Sequence, residues 1–217
     1  MTIKVKICGI KSINHADACI KGKANMIGLM FYKKSPRFIN FKTAKKISDF
    51  AEKKISRVGV VANMNIKELK NIIENVNLDY IQFHGNETPN FIKKIKKLKT
   101  MKKIKIIKAL KVTNKNDISK IIKYKNITNY ILIDTKIIKK NDYNFKNKTL
   151  ELDWNLFKEM KNKKTLILSG ALNVKNLKNA TNQSGINYVD ISSSLETKKG
   201  VKNIKKINNF LKLATKL

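Results

Sequence analysis

Four short apolar runs in this chain end on side chains able to move a proton or take a hydrogen bond: Cys8 in Lys-Ile-Cys-Gly, His84 in Gln-Phe-His-Gly, Asp134 in Ile-Leu-Ile-Asp-Thr and Ser192 in Val-Asp-Ile-Ser-Ser. A thiol, an imidazole and a carboxyl are the common agents of general acid–base catalysis, each tuned by its surroundings to work near neutral pH. Each also has an ordinary fate. A lone cysteine at a strand end is commonly a small buried apolar group, an aspartate after a strand commonly caps a loop, and a histidine there can simply satisfy the mouth of its strand. Cys19, between Ala18 and Ile20, reads as core. Arg37 is conspicuous by composition, because among 48 basic residues only Arg37 and Arg57 are arginine. A planar, forked donor is wanted at that Ser-Pro turn, or the residue is a plain surface arginine.

These groups need a frame. Eight runs rich in β-branched residues recur along the chain: Ile3 to Cys8, Met26 to Phe31, Ser56 to Ala62, Tyr80 to Phe83, Ile104 to Leu110, Tyr130 to Asp134, Thr165 to Ser169 and Tyr188 to Ser192. Helical patterns fill the intervals, at Ser12 to Lys21, Thr43 to Lys54, Ile66 to Val76, Pro89 to Lys99, Asn116 to Tyr124, Leu156 to Lys161, Val174 to Thr181 and Lys202 to Leu213. Alternating strand and helix means parallel pairing. Eight units with no segment left over predict one (βα)8 barrel across residues 1–217. The interval after the sixth strand is the longest, and the polar stretch 136–152 reads as a long loop.

Period-two alternation puts Lys4, Lys6 and Cys8 on one face, as it does Gln82 with His84, Leu132 with Asp134, and Asp190 with Ser192. Polar residues inside a parallel strand are out of place unless they face the barrel interior, so these are the inward faces. Val5, Ile7, Ile81, Phe83, Ile131, Ile133, Val189 and Ile191 then point to the helices. Barrel closure makes the first and eighth strands neighbours, which predicts an interior Lys6–Asp190 ion pair. Cys8, His84, Asp134 and Ser192 fall at the carboxyl ends, where such barrels do their chemistry.

A formal charge of +33 ordinarily suggests a polyanion as partner. Here the lysines are spread over almost every helix, without a basic tail or a nucleic-acid-binding motif, and read as solvated faces. No stretch is apolar enough to span a bilayer, and lysines interrupt the first residues where a signal peptide needs an apolar run, so a cytoplasmic protein is expected. Two cysteines make neither a disulfide framework nor a zinc cluster, and no metal site is expected.

In order and spacing, Lys6-Ile7-Cys8-Gly9-Ile10, Ser35-Pro36-Arg37, Val58-Gly59-Val60, Gln82-Phe83-His84-Gly85, Ile131 to Thr135, Leu168-Ser169-Gly170 with Leu172-Asn173, and Val189 to Ser193 resemble the successive motifs of phosphoribosylanthranilate isomerases. The resemblance covers roughly residues 3 to 210. It implies a cytoplasmic enzyme of tryptophan biosynthesis, monomeric or homodimeric, acting on a small phosphorylated molecule without metal or organic cofactor. The reaction implied is the Amadori rearrangement of N-(5-phosphoribosyl)anthranilate. By the same resemblance Cys8 is the general base, Asp134 the general acid and Arg37 the grip on the anthranilate carboxylate, with His84 facing the substrate. Phosphate is expected at the loops after the last two strands, on backbone N–H groups of Gly170, Ala171, Ser193 and Ser194. A thiol that serves as base must be held as thiolate, and Lys6 has the parity to do so.

The chain departs from the family at three places. Gly170-Ala171 replaces Gly-Gly, Ser192-Ser193-Ser194 replaces Ser-Ser-Gly, and Asn141 to Asn147 replaces a glycine-rich loop. Ala171 and Ser194 are expected at ordinary negative φ, with the Ser194 hydroxyl adding a donor. Other phosphate-binding barrel isomerases, which use paired aspartates or several metal-binding histidines, fit less well, since the first strand ends in cysteine and only His15 and His84 are present. An inactive basic barrel that binds RNA is the alternative outside enzymes.

Overall fold

Eight parallel strands close into a barrel in chain order: β1 (Lys4–Cys8), β2 (Met26–Met30), β3 (Ser56–Val61), β4 (Tyr80–Phe83), β5 (Lys105–Val112), β6 (Tyr130–Thr135), β7 (Leu166–Ser169) and β8 (Tyr188–Ile191). The computed structural model describes residues 2–135 and 153–217, and the polar stretch 136–152 lies outside the described residues. Helices α1 (Ile13–Lys21), α2 (Phe41–Ala51), α3 (Ile66–Asn75), α4 (Pro89–Lys96), α5 (Ile118–Lys125), α6 (Leu177–Ser184) and α7 (Ile204–Ala214) alternate with them. Five helices begin on a side-chain cap. Ser12, Asn40, Asn65, Thr88 and Asn203 each accept from a first-turn N–H that would otherwise have no partner. Asn65 and Glu68 reciprocate as a capping box.

Alternation along the strands divides the core into two layers. Val5, Ile7, Ile81, Phe83, Ile131, Ile133, Val189 and Ile191 pack outward with helix residues such as Ile47, Leu69, Ile92 and Phe210. A separate cluster that includes Cys8, Met26, Val58, Val60, Ile107, Ala109, Leu132 and Ile167 fills the barrel. Each such side chain stabilises by roughly 1.5–3 kcal/mol when fully buried. Tyr80, Tyr130 and Tyr188, each the first residue of its strand, meet tilted and edge-on with centroids 6.1 and 5.5 Å apart and fill the amino end of the barrel.

The fold differs from the sequence expectation in three segments. The helix expected at Leu156 to Lys161 is instead a 3-10 turn over Trp154–Phe157, with a second over Lys163–Thr165. Trp154, Phe157 and Met160 recur every three residues, and a 3-10 turn stacks positions i and i+3 where an α-helix would splay them. The next helix begins at Leu177, because Asn173 and Asn176 hold the chain in a turn through Asn173 N–H to Asn176 Oδ1 (2.8 Å) and Asn176 N–H to Asn173 Oδ1 (3.3 Å). After β8 come a 3-10 turn, Ser193–Leu195, and an antiparallel hairpin of β9 (Glu196–Lys198) and β10 (Val201–Lys202), neither of which the sequence predicts. Lys202, expected to open the last helix, belongs to β10.

Candidate active site

Cys8 ends β1 in register with Gly28 on β2. A Cβ at Gly28 would stand 2.8 Å from the Cys8 sulfur, so the glycine makes the space the thiol occupies. Sequence reasoning passed over Gly28, whose signal was a glycine within a continuous apolar strand. Gly9 follows at φ 83°, a conformation that favours glycine, and carries the chain off the barrel. Beneath the thiol lies the predicted ion pair, Lys6 Nζ to Asp190 Oδ1 at 2.8 Å. Burial works to lower the Lys6 ammonium, but Asp190 and Cys8 outweigh it and hold it above the ordinary lysine value.

The surroundings of the Cys8 thiol act on it in opposite directions. Burial pushes the Cys8 thiol above its ordinary value, and the Asp190 carboxylate adds to that effect. Lys6, Lys202 and Arg37 pull the other way without winning. Lys6 pairs with Asp190 and also favours the Cys8 thiolate, so one ammonium serves two acidic groups.

Across the mouth, β4 and β6 bring His84 and Asp134 together, with His84 Nε2 3.2 Å from Asp134 Oδ2. Both are about one-third exposed. The other ring nitrogen, Nδ1, lies 3.0 Å from the amide nitrogen of Gln82, which is fully buried. A second buried ion pair fixes the loop after His84. Glu87 takes N–H groups of Gly85 (3.0 Å) and Asn63 (2.7 Å), and Lys108 Nζ meets Glu87 Oε2 at 2.9 Å and the Gly85 carbonyl at 2.6 Å. The loops after β3 and β4 are thereby tied to each other and to strand β5.

Arg37 is held by a residue that sequence reasoning missed. Its Nε and Nη2 donate to the two oxygens of Glu196 at 2.7 and 2.9 Å, leaving the end-on pair of N–H groups, from Nη1 and Nη2, to face a ligand. Glu196 also accepts from Lys202 Nζ (2.7 Å) and Gly200 N–H (3.1 Å). Burial alone would raise the Glu196 carboxyl, but these donors bring it down to about 2. The signal for Glu196 was scarcity, since 15 acidic residues face 48 basic ones and a buried acid is conspicuous in such a chain.

The hollow after β7 and β8 corrects two further expectations. Gly170 adopts φ 101° and Ala171 φ 51°, so the alanine sits in the left-handed region and the loop keeps a shape suited to glycine. The Ser194 hydroxyl points to the neighbouring loop, donating to the Leu172 carbonyl at 2.7 Å, and ties the two loops together. Gly170, Ala171 and Ser193 line the cavity.

That cavity, of about 870 Å³, opens at the carboxyl ends of the strands and is lined by Cys8, Arg37, His84 and Asp134 together with the hollow. A closed parallel barrel with a thiol and a carboxyl on separate strands, a free guanidinium edge and a backbone-lined hollow is a barrel enzyme of the acid–base kind, shaped for a small anionic molecule.

A model of the N-(5'phosphoribosyl)anthranilate (PRA) isomerase family matches residues 5–213. The chain is 32% identical over 206 residues to the N-(5'-phosphoribosyl)anthranilate isomerase of Rhizobium etli, covering 95% of this chain and 91% of that protein. It superposes on the phosphoribosyl anthranilate isomerase of Thermotoga maritima with TM-score 0.84 at 31% identity, over 99% of this chain and 100% of the other. A further isomerase structure, at TM-score 0.82 and 30% identity over the same shares, holds reduced 1-(o-carboxyphenylamino)-1-deoxyribulose 5-phosphate. The chain belongs to the phosphoribosylanthranilate isomerase family, and it is an isomerase of tryptophan biosynthesis.

Proposed function

We propose that Cys8 and Asp134 divide the two proton transfers that convert N-(5'-phosphoribosyl)anthranilate to 1-(2-carboxyphenylamino)-1-deoxyribulose 5-phosphate. The observation that carries the assignment is their placement in one cavity, Cys8 from β1 and Asp134 from β6. Asp134 gives a proton to the furanose ring oxygen. The C1–O bond breaks as the anthranilate nitrogen supplies its electron pair, and a Schiff base forms. Cys8, as thiolate, then removes the proton from C2 and the electrons move to the nitrogen, giving an enolamine that tautomerises to the ketone. Arg37 supports the carboxylate of the substrate with its end-on N–H pair, and the Gly170, Ala171 and Ser193 backbone supports the phosphate. Nothing in the sequence of steps calls for a group beyond these side chains.

The test is the fluorescence decay of phosphoribosylanthranilate with purified protein. Wild type consumes it, while Cys8→Ala and Asp134→Asn keep their thermal melts and lose about 100-fold or more of turnover. Near-wild-type turnover in either variant overturns its assignment.

A further inference from the structure

Gln82 lies on β4 two residues before His84, is fully buried, and turns its amide nitrogen to Nδ1 of that histidine at 3.0 Å. Among the described residues its Oε1 has no partner. Its register partners on β3 and β5 are Val60 and Ile107, both apolar and buried in the barrel interior. A hydrocarbon at position 82 would avoid burying an oxygen without a donor, so packing alone does not call for an amide there.

We propose that Gln82 is a positioning residue that fixes the tautomer of His84 and, through it, the way Asp134 holds and releases its proton. This deepens the reading of Asp134 as the acid and rests on it. An amide nitrogen only donates, so Nδ1 accepts and the neutral ring carries its proton on Nε2. Nε2–H then donates to Asp134 Oδ2, at 3.2 Å, and Oδ1 is left to carry the transferable proton into the cavity. When that proton moves to the sugar oxygen, negative charge grows on the carboxyl. The bond from His84 becomes charge-assisted, about twice as strong as its neutral counterpart, so it favours the transition state over the bound substrate. The opposite amide orientation would place Oε1 against Nδ1–H. Nε2 would then be an acceptor and would draw the Asp134 proton to itself, away from the substrate. Among the described residues the other ionisable groups on this side of the cavity are Lys111, the β5 register partner of Asp134, the Lys108–Glu87 pair behind the β4 loop, and Lys120 and Tyr124 from α5.

The full chain labelled with nitrogen-15 provides a direct test, since His15 and His84 are its only histidines and a His15 variant assigns the spectrum. Long-range proton–nitrogen correlation should show His84 with Nε2 protonated and Nδ1 bare, and Nδ1–H in the wild type overturns the proposal. In Gln82→Glu the carboxylate only accepts, so the proton should move to Nδ1 and kcat should fall by about tenfold or more with KM little changed. Gln82→Met provides the same test with an apolar side chain should the glutamate unfold the barrel. It should lower kcat and move the falling, acid-dependent limb of the pH profile upward, because the carboxylate loses its fixed donor. A variant that keeps both the wild-type kcat and the wild-type falling limb overturns the proposal. Retained turnover in Asp134→Asn overturns the acid assignment instead and leaves the tautomer measurement intact, so the two failures are separable.

Discussion

Lys6 Nζ meets Asp190 Oδ1 at 2.8 Å across the seam where β8 pairs with β1, and both side chains are buried. The pair sits directly below Cys8, so it closes the barrel and sets the charge under the thiol. Removing one partner leaves a buried charge uncompensated. Asp190→Ala should therefore cost about 3–5 kcal/mol in urea denaturation. An unfolding free energy within about 1 kcal/mol of wild type would show that the seam is held by its backbone ladder alone.

The thiol of Cys8 must ionise before it can take the substrate's proton, and burial sets its ionisation above the ordinary range. The thiolate fraction increases with pH, so the rising limb of kcat/KM should lie on the alkaline side of an ordinary thiol, near 8.5. Lys6→Met removes the cation that most favours the thiolate and should move that limb further up. A limb that lies at or below neutral pH in the free enzyme would contradict the geometry.

Glu196 has its folded carboxyl at about 2, below the ordinary glutamate value of 4.5. A depressed carboxylate stabilises the fold fully above its unfolded value and loses that contribution as pH falls toward the folded one. The displacement corresponds to about 3 kcal/mol. Glu196→Gln should flatten the acid side of the stability curve, between about pH 5 and 2, and should raise KM by loosening Arg37. Parallel curves for variant and wild type would remove Glu196 from the account.

Ala171 bears a Cβ at φ 51°, where an L-residue costs roughly 1–2 kcal/mol relative to glycine. Ala171→Gly should raise stability by up to about 1 kcal/mol, the flexibility of the unfolded glycine offsetting the rest. It should leave KM near its wild-type value, since the loop already has the glycine-like shape. The field of the +33 chain should make KM rise steeply with salt in both proteins. A KM independent of ionic strength would mean that the loops alone hold the phosphate.

Period, parity and motif order were legible in the sequence because they are local. A side chain two residues along a strand returns to the same face whatever surrounds it, so the inward rows ending at Cys8, His84, Asp134 and Ser192 could be drawn before any fold was known, and the Lys6–Asp190 pair followed from closure. Other features depend on where distant segments meet. Glu196 and Lys202 come from a hairpin with no strong strand pattern, and only the return of that hairpin over β1 and the turn at Arg37 brings them to the guanidinium. Gly28 makes room for the Cys8 sulfur because β2 lies in register beside it. The opposition of burial and the Lys6 ammonium at the thiol depends on desolvation and on a partner shared with Asp190, and both exist only once the barrel has closed and excluded water.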